Sequence, residues 1–219
     1  MAVVITARNE ADRLAATIAA LCEALPGAAV IVADDASEDA TSAVATETGA
    51  VVVRAPRRLG KGGAATLGAR RALETGPEVV LLCDGDLGPS AAALAELVHA
   101  VERGEGEVAV AVFSRRVGGG LGLALGVARR VVLARTGREL RAPLSGQRAL
   151  TGRALQAVLP FAPGFGMETA MAIDTHRAGL TLVELELDLE HRATGRTVAG
   201  FRHRGRQLLD ILRVYASRR

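Results

Sequence analysis

Five short apolar runs, each closed by turn residues, recur through the first half of the chain, at residues 3–6, 29–33, 51–54, 79–83 and 108–113. Between them the apolar spacing switches to that of a helix. Leu14, Ile18, Leu21 and Leu25 lead up to Pro26-Gly27, and Leu94, Leu97, Val98 and Val101 follow Ser90, a candidate N-cap. A strand that is apolar along its whole length must be covered on both faces, and helices packed on a parallel sheet do that. The expected fold is therefore α/β, a Rossmann-like, mostly parallel sheet flanked by helices, in one domain spanning residues 1–219. Such sheets take their ligands beyond the carboxyl ends of the strands, where the strand order reverses.

The second half is less regular. Gly118-Gly119-Gly120 opens a stretch to Pro143 in which no strand can be placed and residues 121–134 read as an amphipathic helix. Helices are expected at 152–159, 167–177 and 199–215, and a strand at 181–189, where Glu184, Glu186 and Asp188 alternate with Val183, Leu185, Leu187 and Leu189. In the last helix Phe201, Leu208, Leu212 and Tyr215 form an apolar stripe beside a basic one of Arg202, Arg206 and Arg213. From residue 192 onward there are eight Arg and one acid, a balance of +7 in a chain of net charge +3, so residues 1–191 carry −4. This basic tail suits an anionic small molecule or an anionic membrane surface. Aromatic residues make up 2%, too few to stack unpaired bases, so nucleic acid is not an expected partner. No apolar run reaches the roughly 18 residues that cross a membrane, and the chain opens on a strand without a charged leader. A cytoplasmic protein, at most peripheral at the inner membrane face, is expected. Cys22 and Cys83 stand far apart with no metal-ligand pattern and read as small packing residues.

Asp84-Gly85-Asp86 closes the fourth strand run and should deliver two carboxylates to the ligand rim. Hard oxygen donors at this density suit Mg²⁺ or Mn²⁺, ions that keep several waters and take phosphate oxygens as further ligands. Read blandly, the same residues are a solvated acidic turn. Gly85 is expected to let the turn bend and a ligand approach. Three other clusters fall on the same rim: Asn9-Glu10, Asp34-Asp35-Ala36-Ser37, and Gly60-Lys61-Gly62-Gly63 just before the third helix. Asn9 and Ser37 also read as helix N-caps, and Glu10 and Asp39 as first-turn acids. The Gly run around Lys61 also reads as a simple loop, but that does not account for Lys61 itself. It is the only lysine beside 26 arginines, which indicates a position needing a compact ammonium where a planar fork will not serve.

In this order, Val4-Ile5-Thr6-Ala7-Arg8-Asn9-Glu10, the segment from Val32 to Thr41, Gly60-Lys61-Gly62 and Asp84-Gly85-Asp86 resemble the signature of family 2 glycosyltransferases with the type A nucleotide-sugar fold. Pro143-Leu144-Ser145-Gly146-Gln147, Gly164-Phe165-Gly166-Met167-Glu168 and His191 are similar to acceptor-side motifs of polyprenyl-phosphate glycosyltransferases and glucosyl-3-phosphoglycerate synthases. The resemblance implies a nucleotide-sugar-binding half at 1–113 and an acceptor-side half at 114–219. It implies that Ala7, Glu10, Asp35 and Lys61 surround the nucleoside, with Glu10 near the ribose and Lys61 near the base. Asp84 would approach ribose or metal-bound water, and Asp86 and His191 would bind the metal. Ser145, Gly146, Gln147 and Arg192 fall to the acceptor. Glu168 falls to orienting or deprotonating it, or is simply a helix-start acid. There are departures from the pattern. Thr6 and Arg8 replace a Pro and an aromatic or aliphatic residue, Gln147 stands where relatives often have Glu or an aromatic residue, and Thr169 follows Glu168 where many inverting members have Asp.

The implied activity is metal-dependent transfer of a hexosyl group from a UDP- or GDP-sugar to a phosphorylated acceptor such as polyprenyl phosphate or 3-phosphoglycerate, with a homodimer among the partner states. Three rivals share parts of the pattern. A phosphatase that uses a DxD nucleophile would carry it on the first strand with Thr or Val following, whereas here Leu87 follows on the fourth. A sugar-phosphate nucleotidyltransferase would need a Gly-rich basic loop after the first strand, and Ala7-Arg8-Asn9-Glu10 has no glycine. A non-catalytic nucleotide-sugar-binding module would fail to hydrolyse the donor in the presence of Mn²⁺.

Overall fold

In the computed structural model, which describes residues 1–114, 123–190 and 198–218, seven strands form one sheet. They are β1 (Ala2–Ala7), β2 (Ala29–Asp34), β3 (Val51–Arg54), β4 (Val79–Asp84), β5 (Val108–Phe113), β6 (Arg148–Thr151) and β7 (Leu182–Leu187), in the order β3-β2-β1-β4-β6-β5-β7. Every pairing is parallel except those of β6, which runs antiparallel to both β4 and β5. The order reverses at β1, with β2 on one side and β4 on the other, so the crevice opens at the carboxyl ends of β1 and β4.

Helices α1 (Leu14–Ala24), α2 (Thr41–Glu47) and α4 (Ala95–Glu102) cover one face of the sheet, and α3 (Lys61–Leu73), α6 (Gly152–Val158) and α7 (Met167–Arg177) cover the other. The two-residue period of a strand divides β1 between them: Val3 and Ile5 join the first core, Ala2 and Val4 the second. Beyond α7, helices α5 (Leu123–Thr136) and α8 (Val198–Ser217) close a third apolar cluster through Val131, Ile173, Ile211 and Val214. The small residues of α3 bring it tight against its neighbours, since a Cβ on Gly62 would lie 1.9 Å from the Ala162 carbonyl oxygen.

The structure corrects several sequence expectations. Strand β6 was not expected, because four residues headed by an arginine carry no strand signal. Ser90 does not cap α4, which begins five residues later. Its hydroxyl donates to the Leu87 carbonyl at 2.8 Å and accepts the Glu190 N–H at 2.9 Å. Asn9 and Ser37 are not caps either: Asn9 Oδ1 accepts the Glu38 N–H at 2.8 Å and Ser37 Oγ accepts the Asn9 N–H at 3.0 Å, which stitches the β1 and β2 loops together. Glu10 and Asp39 precede their helices and do not lie in the first turns. Lys61 is itself the first residue of α3. Among the described side chains of α8 the buried ones are Ile211 and Val214, one step round from the expected stripe, and Leu212 and Tyr215 stay 46% and 43% exposed. The side chains of Phe201, Arg202 and Arg206 lie outside the described residues. The polar side of β7 has an internal use, because Glu184 accepts the N–H groups of Arg141 and Ala142 at 2.8 and 2.7 Å.

Two glycine substitutions separate close packing from helix propensity. Gly62→Ala forces a methyl group against a backbone carbonyl and should cost about 1–3 kcal/mol. Gly126→Ala, in α5 where nothing among the described residues lies within 4 Å of the new atom, should gain about 0.5–1 kcal/mol. Urea midpoints of the two variants check both signs.

Candidate active site

The crevice is built around one ammonium group. Lys61 enters α3 directly from Gly60, whose φ of 78° is a conformation that side chains other than hydrogen rarely allow. Its Nζ lies 2.7 Å from Asp84 Oδ1, 3.0 Å from Asp84 Oδ2 and 3.0 Å from Glu168 Oε1. Asp84 ends β4, and Glu168 is the second residue of α7 and is buried. Gln147 closes the arrangement by donating Nε2 to Asp84 Oδ2 at 2.8 Å and accepting the Asp84 N–H at 3.0 Å. Thr6 Oγ1 donates to Asp84 Oδ1 at 3.2 Å. A Cβ on Gly146 would fall 2.3 Å from Nζ. A side chain at position 146 would collide with the ammonium, which accounts for the glycine facing it.

Electrostatics follow from this crowding. Burial by itself would depress the Lys61 pKa, but Asp84 and Glu168 outweigh it and hold the ammonium above its ordinary range. Burial would likewise raise Asp84, but the Lys61 charge and the hydrogen bonds from Lys61, Gln147 and Thr6 keep its carboxyl below the usual carboxylate range.

The turn after β4 is held from α1. Thr17 Oγ1 donates to the Gly85 carbonyl at 2.9 Å and accepts the Gly88 N–H at 2.8 Å, and Arg13 donates to the Asp86 carbonyl at 3.1 Å. Gly85 is fixed by packing and not by turn geometry, since its Cβ would sit 3.2 Å from that of Ala7. Asp35 accepts the N–H groups of Leu59 and Gly60 at 2.5 and 3.0 Å, so its carboxylate sets the approach to Lys61. Ala7 is buried at the end of β1, and Glu10 receives the first turn of α1 on its carbonyl.

The structure therefore brings Lys61, Asp84, Glu168, Gly146 and Gln147 into contact, with Asp35 one step behind, Ala7 at the end of β1, and Glu10 and Asp86 on the loops that bound the crevice. Ser145 is buried in the loop before β6, and its hydroxyl has no hydrogen-bond partner among the described residues. His191 and Arg192 lie outside the described residues. Glu190, which precedes them, is the residue bonded to Ser90.

Three residues escaped the sequence reading. Thr17 could have been noticed as the one polar member of the stripe Leu14, Thr17, Ile18, Leu21. Arg13 carried no signal. Arg148, at 1% exposure, donates Nε to the Ser145 carbonyl at 2.9 Å and so holds the loop that carries Gly146. Burial lowers its pKa to about 10 against the opposing pull of Glu168 and Glu184.

Residues 2–145 match the family model described as glycosyl transferase family 2. Undecaprenyl-phosphate mannosyltransferase of Micrococcus luteus is 28% identical over 208 residues, covering 88% of this chain and 84% of that protein. Glucosyl-3-phosphoglycerate synthase of Mycolicibacterium paratuberculosis is 32% identical over 241 residues, covering 97% and 71%. The solved structure of glucosyl-3-phosphoglycerate synthase from Mycobacterium tuberculosis in complex with Mn²⁺, UDP-glucose and phosphoglyceric acid aligns with a TM-score of 0.79 at 29% identity, over 98% of this chain and 79% of that one. The same enzyme in complex with Mg²⁺ and UDP aligns equally well, with a TM-score of 0.79.

Lys61→Met should leave Asp84 and Glu168 facing each other without a cation, at a cost of about 3–5 kcal/mol, and adding Glu168→Gln should recover part of it. Because the Lys61 pKa is raised on folding, its contribution is complete below the unfolded value of about 10.4 and is lost as pH rises through the folded one. The stability gap between wild type and Lys61→Met, measured by urea denaturation, should hold from neutral pH to about 10 and narrow above it.

Proposed function

Because the chain belongs to glycosyl transferase family 2, we propose that it moves a hexosyl group from a nucleoside diphosphate sugar, UDP- or GDP-linked, to a phosphorylated acceptor with the help of Mg²⁺ or Mn²⁺. The observation that carries this reading is the contact of Lys61 with Asp84 and Glu168 at the point where the strand order reverses. It joins the donor-side turn after β4 to the acceptor-side start of α7 through one side chain.

The residues present fit a divalent cation of this type. Asp86 supplies a hard oxygen on a turn whose backbone Arg13 and Thr17 hold in place, and Mg²⁺ or Mn²⁺ is commonly bound through one or two carboxylates plus substrate phosphates. Asp86 would be the ligand, with His191 as the further one, as the family resemblance implies, while Asp84 is held by Lys61, Gln147 and Thr6. When bound, the ion offsets the charge growing on the departing diphosphate.

The chain's own groups would do the rest. Ala7, Glu10 and Asp35 would border the nucleoside. Lys61 would keep Asp84 ionised and fixed while Glu168 orients the acceptor, and a phosphate acceptor is already anionic and needs no strong base. Ser145, Gly146 and Gln147, placed at the crevice by β6, would form the acceptor wall, with Arg192 beside them.

Among acceptors, a phosphoglycerate-type acid is favoured by a likeness that spans 97% of the chain. A polyprenyl phosphate reached at an anionic lipid surface is the second reading. It is supported by Leu209, Leu212 and Tyr215, which α8 leaves 55%, 46% and 43% exposed, and by the basic tail. UDP- and GDP-hexoses offered with 3-phosphoglycerate or polyprenyl phosphate should yield product with one pair. Absence of transfer in every arm, with the donor intact, would leave only a binding module. Asp86→Ala should abolish metal-dependent donor binding by calorimetry while shifting the melting temperature little, as expected of a rim carboxylate, and unchanged turnover would remove Asp86 from the site.

A further inference from the structure

The turn that launches α7 is gripped from outside the crevice. Gly164–Gly166 is a short 3-10 stretch leading straight into Met167 and Glu168. Asp210, in α8, accepts the Phe165 N–H on Oδ2 at 3.1 Å, while its Oδ1 receives Arg213 at 3.0 Å. The fit leaves no space for side chains. A Cβ on Gly164, which has a φ of +63°, would lie 2.3 Å from Asp210 Oδ2, and one on Gly166 would lie 2.7 Å from Val214 and 3.1 Å from the Asp210 carbonyl. On its other side the same segment abuts the start of α3. A Cβ on Gly60 would meet the Gly164 Cα at 3.7 Å, and one on Gly62 would strike the Ala162 carbonyl. Residues 162–166 are thus wedged between the helix that begins with Lys61 and the helix that ends the chain.

We propose that Asp210 is a positioning residue for the Glu168–Lys61 contact, so that seating of the last helix sets the geometry of the crevice. Its bond falls three residues before Glu168, and the opposite side of the bonded turn touches the residue before Lys61. Ile211, by contrast, belongs to the apolar cluster that α8 shares with α5 and α7. If Asp210 merely fastened the helix, its removal and the removal of Ile211 would have the same effect. If it positions Glu168, they differ. The proposal rests on the transferase reading for its kinetic readout, and a spectroscopic one stands apart from it.

The variants are Asp210→Ala, Asp210→Asn and Ile211→Ala. Loss of the carboxylate should lower kcat about ten- to a hundredfold, the scale on which small displacements of a catalytic group act. The calorimetric Kd for UDP or GDP should stay within twofold. Asp210→Asn keeps an oxygen for the Phe165 N–H and should restore kcat to within about threefold of wild type, a modest loss if one neutral hydrogen bond replaces a charge-assisted one. Ile211→Ala should lower the melting temperature at least as much as Asp210→Ala with kcat within twofold. As the only lysine, Lys61 gives a single side-chain ammonium resonance after ¹⁵N-lysine labelling, and this signal should shift in Asp210→Ala but not in Ile211→Ala. Wild-type kcat and an unmoved resonance in Asp210→Ala, or equal effects of the alanine variants at Asp210 and Ile211, would overturn the proposal. A shifted resonance in a protein that transfers no sugar would retain the positioning role and overturn the transferase reading.

Discussion

Asp84 and Glu168 come from distant parts of the chain and, both ionised, would repel one another across the crevice. The ammonium of Lys61, at 2.7 to 3.0 Å from each, turns that repulsion into a bond between two halves of the fold. Much of the local architecture makes the contact possible. Gly60 turns the chain into α3, Asp35 fixes that turn through two N–H groups, and Gly146 leaves the volume that Nζ fills. Gln147 and Thr6 complete the hydrogen bonding of Asp84. A partly buried charge cluster of this kind is favourable only when its lone pairs and protons are nearly all matched, so each of these residues constrains the others.

The sheet supplies the placement. Because β1, β2 and β4 are parallel, their ends share one edge, and loops with separate sequence motifs are brought close enough to bond to one another. The antiparallel β6 solves the remaining problem. A parallel strand in its position would present its end to the crevice, whereas β6 presents its beginning, so Gly146 and Gln147 meet Asp84 as the chain enters the sheet. Arg148, the first residue of the strand, is buried for the same reason: its guanidinium reaches back to the loop carbonyl that precedes it.

What could be read from the sequence was whatever depends on neighbours along the chain. The apolar runs of β1, β2, β4 and β5 stand out because strands largely covered on both faces leave no polar interruption, the short edge strand β3 is marked by its valines, and the singular lysine pointed to a site where shape mattered more than charge. What could not be read depends on partners far away. Ser90, Asn9 and Ser37 have the right chemistry for capping and the right spacing, yet each finds a partner in another loop. Strand β6 is short and begins with an arginine, so neither period nor propensity marks it. The stripe on α8 was misjudged by one step because spacings of three and four define two overlapping faces, and only the positions of α5 and α7 decide which is buried. The pairing of Lys61 with Glu168 has no local signature at all.

The placement of β6 between β4 and β5 also bears on how such a chain can diversify. Residues 114–147 leave the sheet at the end of β5 and return in β6, hydrogen-bonded to the strand just left, with Val110 opposite Arg148. Departure and return are therefore adjacent, and the excursion can lengthen, shorten or exchange its contents while every other strand keeps its register. The residues proposed to face the acceptor are carried at the far end of that excursion, whereas the β1, β2 and β4 loops are locked to one another. Inheritance can vary one partner of the reaction while conserving the other, and it can do so by insertion and deletion as readily as by substitution.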